Sequence, residues 1–277
     1  MNDTDLAYTA GYIDGDGCFF IGEIKTSPFV QDTFSIISTH IDNIEWFKNR
    51  FDGNIHTKQS RQKNRVPSYH FVFTKKGYVD LEKILPFLIE KRQECEIFLK
   101  FRNPLYKEDR NALIKAMKIL KTETHIIHNS IKEDVESVRN TIIPNENDFA
   151  YLAGFIDAEC SLDINKTFQK RGVTPYYRAQ LQCNNTKAPF FFWASQRFGG
   201  QFHFLDKSHL MNCRNQMLWR ISNLQIDPLL KGVFPFLIHK KPMCEQMIEL
   251  RKKVISKDFE GRSEIYDKVR HLNSSII

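Results

Sequence analysis

Leu6-Ala7-Tyr8-Thr9-Ala10-Gly11-Tyr12-Ile13-Asp14-Gly15-Asp16 returns as Phe149-Ala150-Tyr151-Leu152-Ala153-Gly154-Phe155-Ile156-Asp157-Ala158-Glu159, at an offset of 143 residues. Two more blocks repeat in the same order. Trp46 with Arg50-Phe51-Asp52-Gly53-Asn54-Ile55-His56 matches Trp193 with Arg197-Phe198-Gly199-Gly200-Gln201-Phe202-His203. Pro86-Phe87-Leu88-Ile89-Glu90-Lys91 matches Pro235-Phe236-Leu237-Ile238-His239-Lys240. The offsets drift only to 147 and 149, so the chain reads as a tandem duplication. Its halves are 1–103 and 147–277. Between them, 104–146 reads as a helical linker, because Leu113, Met117, Leu120, Ile127, Ile131, Val135 and Val138 recur at helical spacing.

Each half reads as α-β-β-α-β-β-α. The first helices are expected to be capped by Thr4 or Asp5 and by Asn147 or Asp148. Strands are expected at 18–25, 33–39, 54–59 and 68–74, and again at 161–168, 176–183, 201–205 and 216–222. Helices near Trp46 and Trp193 divide the strand pairs, and helices over 79–101 and 226–255 close the halves. The fold class is α+β: two pseudo-symmetric halves, each a helix-backed antiparallel sheet.

Composition excludes several classes. Of 277 residues, 42% are hydrophobic and 26% charged, enough for a core and unlike a disordered chain. The 23 phenylalanines point to aromatic strand cores and helix seams. No run of 18 apolar residues is present, so no membrane span is expected. The acidic start Met1-Asn2-Asp3-Thr4-Asp5 lacks the apolar core of a secretory signal. Cys18, Cys95, Cys160, Cys183, Cys213 and Cys244 form no Cys-x-x-Cys pair, which argues against a zinc ribbon. They are expected to be reduced and mostly buried.

Ala7, Gly11 and Gly15, and likewise Ala150, Gly154 and Ala158, lie four apart and so share one helix face. Two faces without bulk allow two helices to approach closely and form a seam between the halves. Parallel packing would bring Asp16 and Glu159 together at the negative ends of two helix dipoles. Converging carboxylates there call for positive charge, and oxygen-only ligands suit Mg²⁺. The alternative is two solvated acids at helix ends.

Thr9 to Gly17 (Thr-Ala-Gly-Tyr-Ile-Asp-Gly-Asp-Gly) and Leu152 to Cys160 (Leu-Ala-Gly-Phe-Ile-Asp-Ala-Glu-Cys) resemble the two motifs of the LAGLIDADG homing endonucleases, in their single-chain, double-motif subclass. The resemblance covers nearly the whole chain. It implies a pseudo-dimer whose two sheets form a saddle over double-stranded DNA. It places the metal-binding acids at Asp16 and Glu159, with Gly15 and Ala158 beside them in the metal set. It implies Mg²⁺ or Mn²⁺ as cofactor, with Ca²⁺ binding without supporting cleavage. Asp14 and Asp157 are then structural. Lys91 and Lys240, at the block carrying a basic residue near each site, are assigned to transition-state charge stabilisation or water orientation. His40 and Lys187, at strand ends, are further candidates for orienting water. One departure stands out: Cys160 replaces the last motif glycine, a residue that suits a tight helix exit with positive φ.

The net charge of +7 gains meaning by position. From Gly53 to Val79 there is no acid, while Lys58, Arg61, Lys63, Arg65, Lys75 and Lys76 are present. From Ile164 to Leu205 there is again none, while Lys166, Lys170, Arg171, Arg178, Lys187 and Arg197 are present; Lys207, Arg214 and Arg220 extend the run. Both windows fall on expected strands and hairpins, the footprint of a phosphate-backbone binder. On the solvent faces, His56, Lys58 and Ser60, then Asn165, then Gln180 and Gln182 are the residue types that read base edges. Lys25, His70 and His203 complete the candidate set. A merely solvated sheet face is the alternative for any single strand.

The leading expectation is a monomeric, metal-dependent endonuclease cutting both strands of a long asymmetric DNA site. An RNA maturase acting on host intron RNA and a DNA-binding protein with decayed cleavage are the alternatives. An intein is disfavoured because Asn273-Ser274-Ser275-Ile276-Ile277 lacks a His-Asn ending. The abundance of Phe, Ile, Lys and Asn fits an AT-rich genome, organellar (mitochondrion or chloroplast) or bacterial.

Overall fold

Asn2 and Asn145 start the two motif helices. A computed structural model describes residues 1–23, 30–59, 66–123, 130–168, 174–207, 214–258 and 260–274. Helix α1 (Asp3–Asp16) begins where Asn2 Oδ1 accepts from Asp5 N at 2.8 Å. Helix α7 (Glu146–Glu159) begins in a reciprocal capping box, Asn145 with Asp148, both bonds 3.0 Å. The expected caps, Thr4 or Asp5 and Asn147 or Asp148, are therefore displaced. An asparagine oxygen reaches the N–H three residues on and puts the nearby acids inside the first turn.

The first sheet contains β1 (Gly17–Glu23), β2 (Val30–Ser38), β3 (Gly53–Lys58) and β4 (Ser68–Phe73), ordered β1-β2-β4-β3. The second contains β5 (Cys160–Phe168), β6 (Pro175–Asn185), β7 (Gln201–Leu205) and β8 (Gln216–Ser222), ordered β5-β6-β8-β7. All pairs are antiparallel. Helices α2 (Ile41–Lys48) and α8 (Ala188–Phe198) join the strand pairs. Alternation sorts the strands: Leu162 and Ile164 are buried while Ser161 is exposed and Asp163 and Asn165 half-buried. Stacked aromatics fill the core: Phe19 of β1 on Phe34 of β2 at 4.4 Å, and Phe155 of α7 on Phe190 of α8 at 3.9 Å. Each fully buried ring contributes roughly 1.5–3 kcal/mol.

Each half ends in more helices than expected. The first has α3 (Val79–Ile84), α4 (Arg92–Arg102) and α5 (Arg110–Glu123); α6 (Ile131–Ser137) follows. The second has α9 (Ile226–Val233), α10 (Lys241–Ile255) and α11 (Gly261–Ser274). The segment expected as a linker is divided between the halves. On the first half, Arg110 of α5 lies over the Phe101 ring and Lys121 bonds the Phe19 carbonyl on β1. On the second, Val135 of α6 is buried and its carbonyl accepts from Ser195 Oγ at 2.6 Å, while Asn140 and Ile142 N–H groups bond the α8 carbonyls of Ser195 and Gln196. α5 is the counterpart of α11, which packs on the β5–β6 hairpin through Tyr266 on Tyr177 of β6. Among the described residues no helix is long and apolar enough to cross a membrane.

The seam is as narrow as the small residues require. A Cβ on Gly11 would fall onto the Tyr151 carbonyl and lie 2.9 Å from Phe155 N; one on Gly154 would fall onto the Tyr8 carbonyl and lie 2.9 Å from Tyr12 N. Residue numbers rise together along both helices, so α1 and α7 run parallel and end side by side.

The cysteines differ from expectation. Cys160 and Cys183, register partners in β5 and β6, form a disulfide, because the hairpin brings their Cα atoms to 4.3 Å. Cys95 and Cys244 are buried thiols, and Cys18 is an exposed one. Cys213 lies outside the described residues.

Candidate active site and nucleic-acid face

Both helix exits are extended, φ −76° at Gly17 and −95° at Cys160, so the positive φ expected for the motif glycine is absent. Close approach is what favours glycine in the first half: a Cβ on Gly17 would lie 2.6 Å from the Ile13 carbonyl oxygen.

Asp14 and Asp157 each tie two other pieces of the fold to their own helix. Asp14 accepts from the backbone N–H groups of Ile89, Glu90 and Lys91 at 2.8–3.0 Å and from Tyr151 Oη at 2.7 Å. Asp157 accepts from Ile238 N and Lys240 N at 2.8 Å and from Tyr8 Oη at 2.9 Å. Each acid therefore fixes its own Pro-Phe-Leu segment and the opposite motif helix. Burial raises both carboxyls, and these hydrogen bonds oppose the rise. The two tyrosines were missed as functional partners, although both sit in the repeated block.

Lys91 and Lys240 reach the helix ends. Lys91 Nζ donates to the carbonyls of Ile13, Gly15 and Gly17 at 2.8–2.9 Å. Lys240 Nζ donates to Ile156 (2.6 Å), Cys160 (2.7 Å) and Asp157 (3.3 Å). An ammonium on the last carbonyls satisfies acceptors a helix leaves open and offsets its negative end. Burial pushes both ammoniums down, and Asp14 and Asp157 respectively pull them back up. All three Lys91 donors are engaged by carbonyls at the end of the helix that carries Asp16. One of those carbonyls belongs to Gly15 of the expected metal set.

Asp16 and Glu159 follow at the helix ends, half-buried and exposed respectively. Gly15 packs against Ala158, and a Cβ on it would lie 2.9 Å from Glu159 Cγ. Burial, then the Glu159 charge, pushes Asp16 up to about 7, while Lys91 and Lys240 pull it down. Crowding of its carboxylate by neighbouring atoms, which keeps water away, also raises Glu159, while Lys91 and Lys240 lower it. Two carboxylates that repel each other and carry only oxygen donors fit a hard divalent cation. Among the described residues no three His, Cys, Asp or Glu side chains are grouped for a metal, so the acids would hold it as a pair, with phosphate or water supplying the rest.

The two sides of the seam differ. His40 stacks on His239 with ring centroids 3.4 Å apart and 15° between planes. At the equivalent place, Lys187 pairs with Glu94 at 2.9 Å, and Glu90 accepts from Phe190 N at 2.7 Å. Both pairings cross between halves. His40 is lowered by burial and then by Lys240; burial, then His40 and Lys240, pushes His239 down to about 4.

The outer sheet faces carry many of the remaining candidates. His56 and Lys58 are exposed on β3, and His70 lies opposite His56 with its Nε2 3.1 Å from Ser68 Oγ. Asn165 donates to Gln180 at 2.7 Å and faces Arg178 across the register. With its amide turned to accept, Gln182 takes bonds from Gln180 Nε2 (2.8 Å) and Arg220 Nε (3.2 Å). His203 and Arg214 are exposed, and Lys207 bonds Gln216 at 2.7 Å. Lys25, Ser60, Arg61, Lys63, Arg65, Lys170 and Arg171 lie outside the described residues. Three cations of the second basic window turn elsewhere: Lys166 covers the Tyr177 and Tyr266 rings, Lys187 pairs with Glu94, and Arg197 pairs with Asp148 at 2.6 Å. Asp163 places an acid on this face, one residue before that window begins.

No family model and no curated protein matches the chain. Solved structures do. The LAGLIDADG meganuclease I-AabMI bound to uncleaved DNA shares 21% identity over 98% of both chains, with a TM-score of 0.66. The LAGLIDADG homing endonuclease I-GzeII in complex with its DNA target shares 18% over 96% of both, at 0.65. I-SmaMI bound to uncleaved DNA with calcium ions shares 17% over 99% of this chain and 98% of that one, at 0.65. The two sheets, the parallel motif helices between them and this near-complete overlap give the chain the fold of the single-chain, double-motif LAGLIDADG homing endonucleases.

Proposed function

We propose that the chain is a site-specific DNA endonuclease that hydrolyses both strands of a long, asymmetric duplex site with Mg²⁺ or Mn²⁺. The observation that carries this is the convergence of Asp16 and Glu159 at the ends of two parallel helices, between sheets whose outer faces present polar and basic side chains. The DNA complexes of the structural neighbours, one of them with calcium, support the same reading.

Hydrolysis needs an attacking water and stabilisation of the leaving 3′-oxygen. A bound divalent ion supplies a lower water pKa and positive charge for that oxygen. Asp16 and Glu159 would hold it through carboxylate oxygens. Lys91 and Lys240 clamp the helix ends that aim those acids. His56, Lys58, Arg178 and Arg214 would position the phosphate backbone, and Asn165, Gln182 and Arg220 would contact base edges; Gln180, expected on the solvent face, is buried at 3% exposure and bridges Asn165 and Gln182 from beneath. Unlike residues on the two faces imply an asymmetric target, read by a monomer whose two halves replace a dimer.

The test is to incubate a randomised duplex DNA library with the protein and Mg²⁺. One recovered sequence cut on both strands is the expected result. No cut sequence, with rescue of intron splicing instead, would overturn it in favour of a maturase.

A further inference from the structure

We propose that the Cys160–Cys183 cross-link is a redox-set positioning element for Glu159, so that its oxidation state changes how fast one strand is cut relative to the other. The inference rests on the endonuclease reading above. Cys160 directly follows Glu159 at the junction of α7 and β5. Its N–H closes the helix on Ile156, its carbonyl holds the Lys240 ammonium at 2.7 Å, and its sulfur is bonded to Cys183. Three restraints therefore converge on the residue next to the acid.

The first half has no equivalent. Gly17 follows Asp16, and its register partner is Ile36. Among the described residues, only the Glu159 side can gain or lose a covalent tie. A disulfide holds two sulfurs about 2 Å apart, while unbonded sulfurs rest about 4 Å apart. Cys160 and Cys183 are 3% and 1% exposed, so the surrounding core leaves little room for side-chain rearrangement alone. Separating the sulfurs therefore shifts the backbone beside Glu159. A misplacement of about 1 Å at a catalytic group costs up to about a hundredfold in rate.

The redox step is balanced. Two thiols lose two protons and two electrons and form one sulfur–sulfur bond. A low-molecular-weight disulfide, glutathione disulfide, accepts both and leaves as two thiols; excess thiol reverses the exchange. Burial makes the exchange depend on local opening of the β5–β6 rung.

The test uses the full chain equilibrated in oxidised or reduced glutathione, with acid trapping and alkylation under denaturing conditions. Peptide mapping should find Cys160 and Cys183 protected from alkylation in the oxidised chain and alkylated in the reduced chain. Nicking of each strand is then timed on the duplex recovered from the library with Mg²⁺. We expect reduction to change the ratio of the two strand rates about tenfold, and reoxidation to restore it. Cys183→Ala should fix the reduced ratio under both conditions. Should that chain misfold, C160G/C183I, which copies the Gly17–Ile36 pair, should give a ratio insensitive to glutathione. Cys18→Ser removes the exposed thiol, and the redox response should persist in it. An unchanged ratio, equal slowing of both strands, or alkylated Cys160 and Cys183 in the oxidised sample would overturn the proposal. If no library member is cut in either state, the endonuclease reading fails and the positioning role with it. Cys160 and Cys183 protected from alkylation in that case would show that the cross-link itself stands.

Discussion

Tyr8 of the first motif helix donates a 2.9 Å hydrogen bond to Asp157 of the second. The mirror bond runs from Tyr151 to Asp14 at 2.7 Å. Each phenol is buried, and each acid also holds backbone N–H groups of its own half. The halves are thus joined by two reciprocal bonds flanking the glycine contact. Tyr8→Phe removes one donor without adding bulk. It should destabilise the fold by about 1.5–3 kcal/mol, the range for a bond to a charged acceptor. Urea unfolding of Tyr8→Phe, Tyr151→Phe and the double variant checks this. A loss below a few tenths of a kcal/mol would mean that the bonds do not hold the seam.

Gly11→Ala and Gly154→Ala test the contact itself. Either Cβ lands on a backbone carbonyl of the opposite helix, which has no flexible end to move aside. The helices must separate, and packing along their whole length suffers. Overpacking usually costs about 1–3 kcal/mol, and a backbone-on-backbone clash belongs at or above the top of that range. Thermal unfolding should show Gly154→Ala well below Ala153→Gly, which carves space instead of filling it.

How much of this was readable in advance depended on range. The duplication, both sheets and the seam were legible because identical residue types recur in order and small residues recur every four. The helix α11 was not, since Gly261–Ser274 shares with Arg110–Glu123 only the spacing of its buried positions, Ile265 and Val269 against Leu113 and Met117, of which Leu113 is half-buried. The disulfide was hidden because it requires the β5–β6 register, which pairs residues 23 apart. The crossed pairs His40–His239 and Lys187–Glu94 join different halves at positions the repeat treats separately. The basic window counts Lys166, but strand parity groups it with Leu162 and Ile164, and its exposed ammonium faces the Tyr177 and Tyr266 rings.

Asp16→Asn and Glu159→Gln should each abolish Mg²⁺-dependent cleavage and leave duplex binding largely intact. Asp16 is held up at about 7, so a proton must leave before a cation binds. Mn²⁺ or Ca²⁺ affinity of the DNA complex should therefore rise between pH 6 and 8, with proton release on binding. Calorimetry in two buffers of different ionisation enthalpy measures that release. Equal affinity at both pH values would remove Asp16 from the cation site, as would undiminished cutting by the double variant.

Exposed cations on the outer face should act through phosphate contacts. Lys58→Gln and Arg214→Gln should each weaken binding to all duplexes and lower the slope of log affinity against log salt by about one. Lys166→Gln is the internal control, because its ammonium lies against the Tyr177 and Tyr266 rings. Its salt slope should match that of the native chain. An unchanged slope for Lys58→Gln would take β3 out of the interface.

The His40–His239 stack makes a stability prediction with a definite sign. Burial and neighbouring positive charge hold His239 down to about 4, against 6.5 for the free side chain. Between those values the unfolded chain binds a proton that the folded chain refuses. Stability contributed by this site therefore rises with pH across about 4 to 6.5 and is lost as pH falls through that window. Lys240 lies beside both rings and opposes protonation of either. The measurement is the difference in urea midpoint between the native chain and His239→Gln, taken at pH 4.5, 5.5 and 7.5. Native stability should drop relative to the variant as pH falls. A constant difference would mean that His239 titrates alike in the folded and unfolded chains.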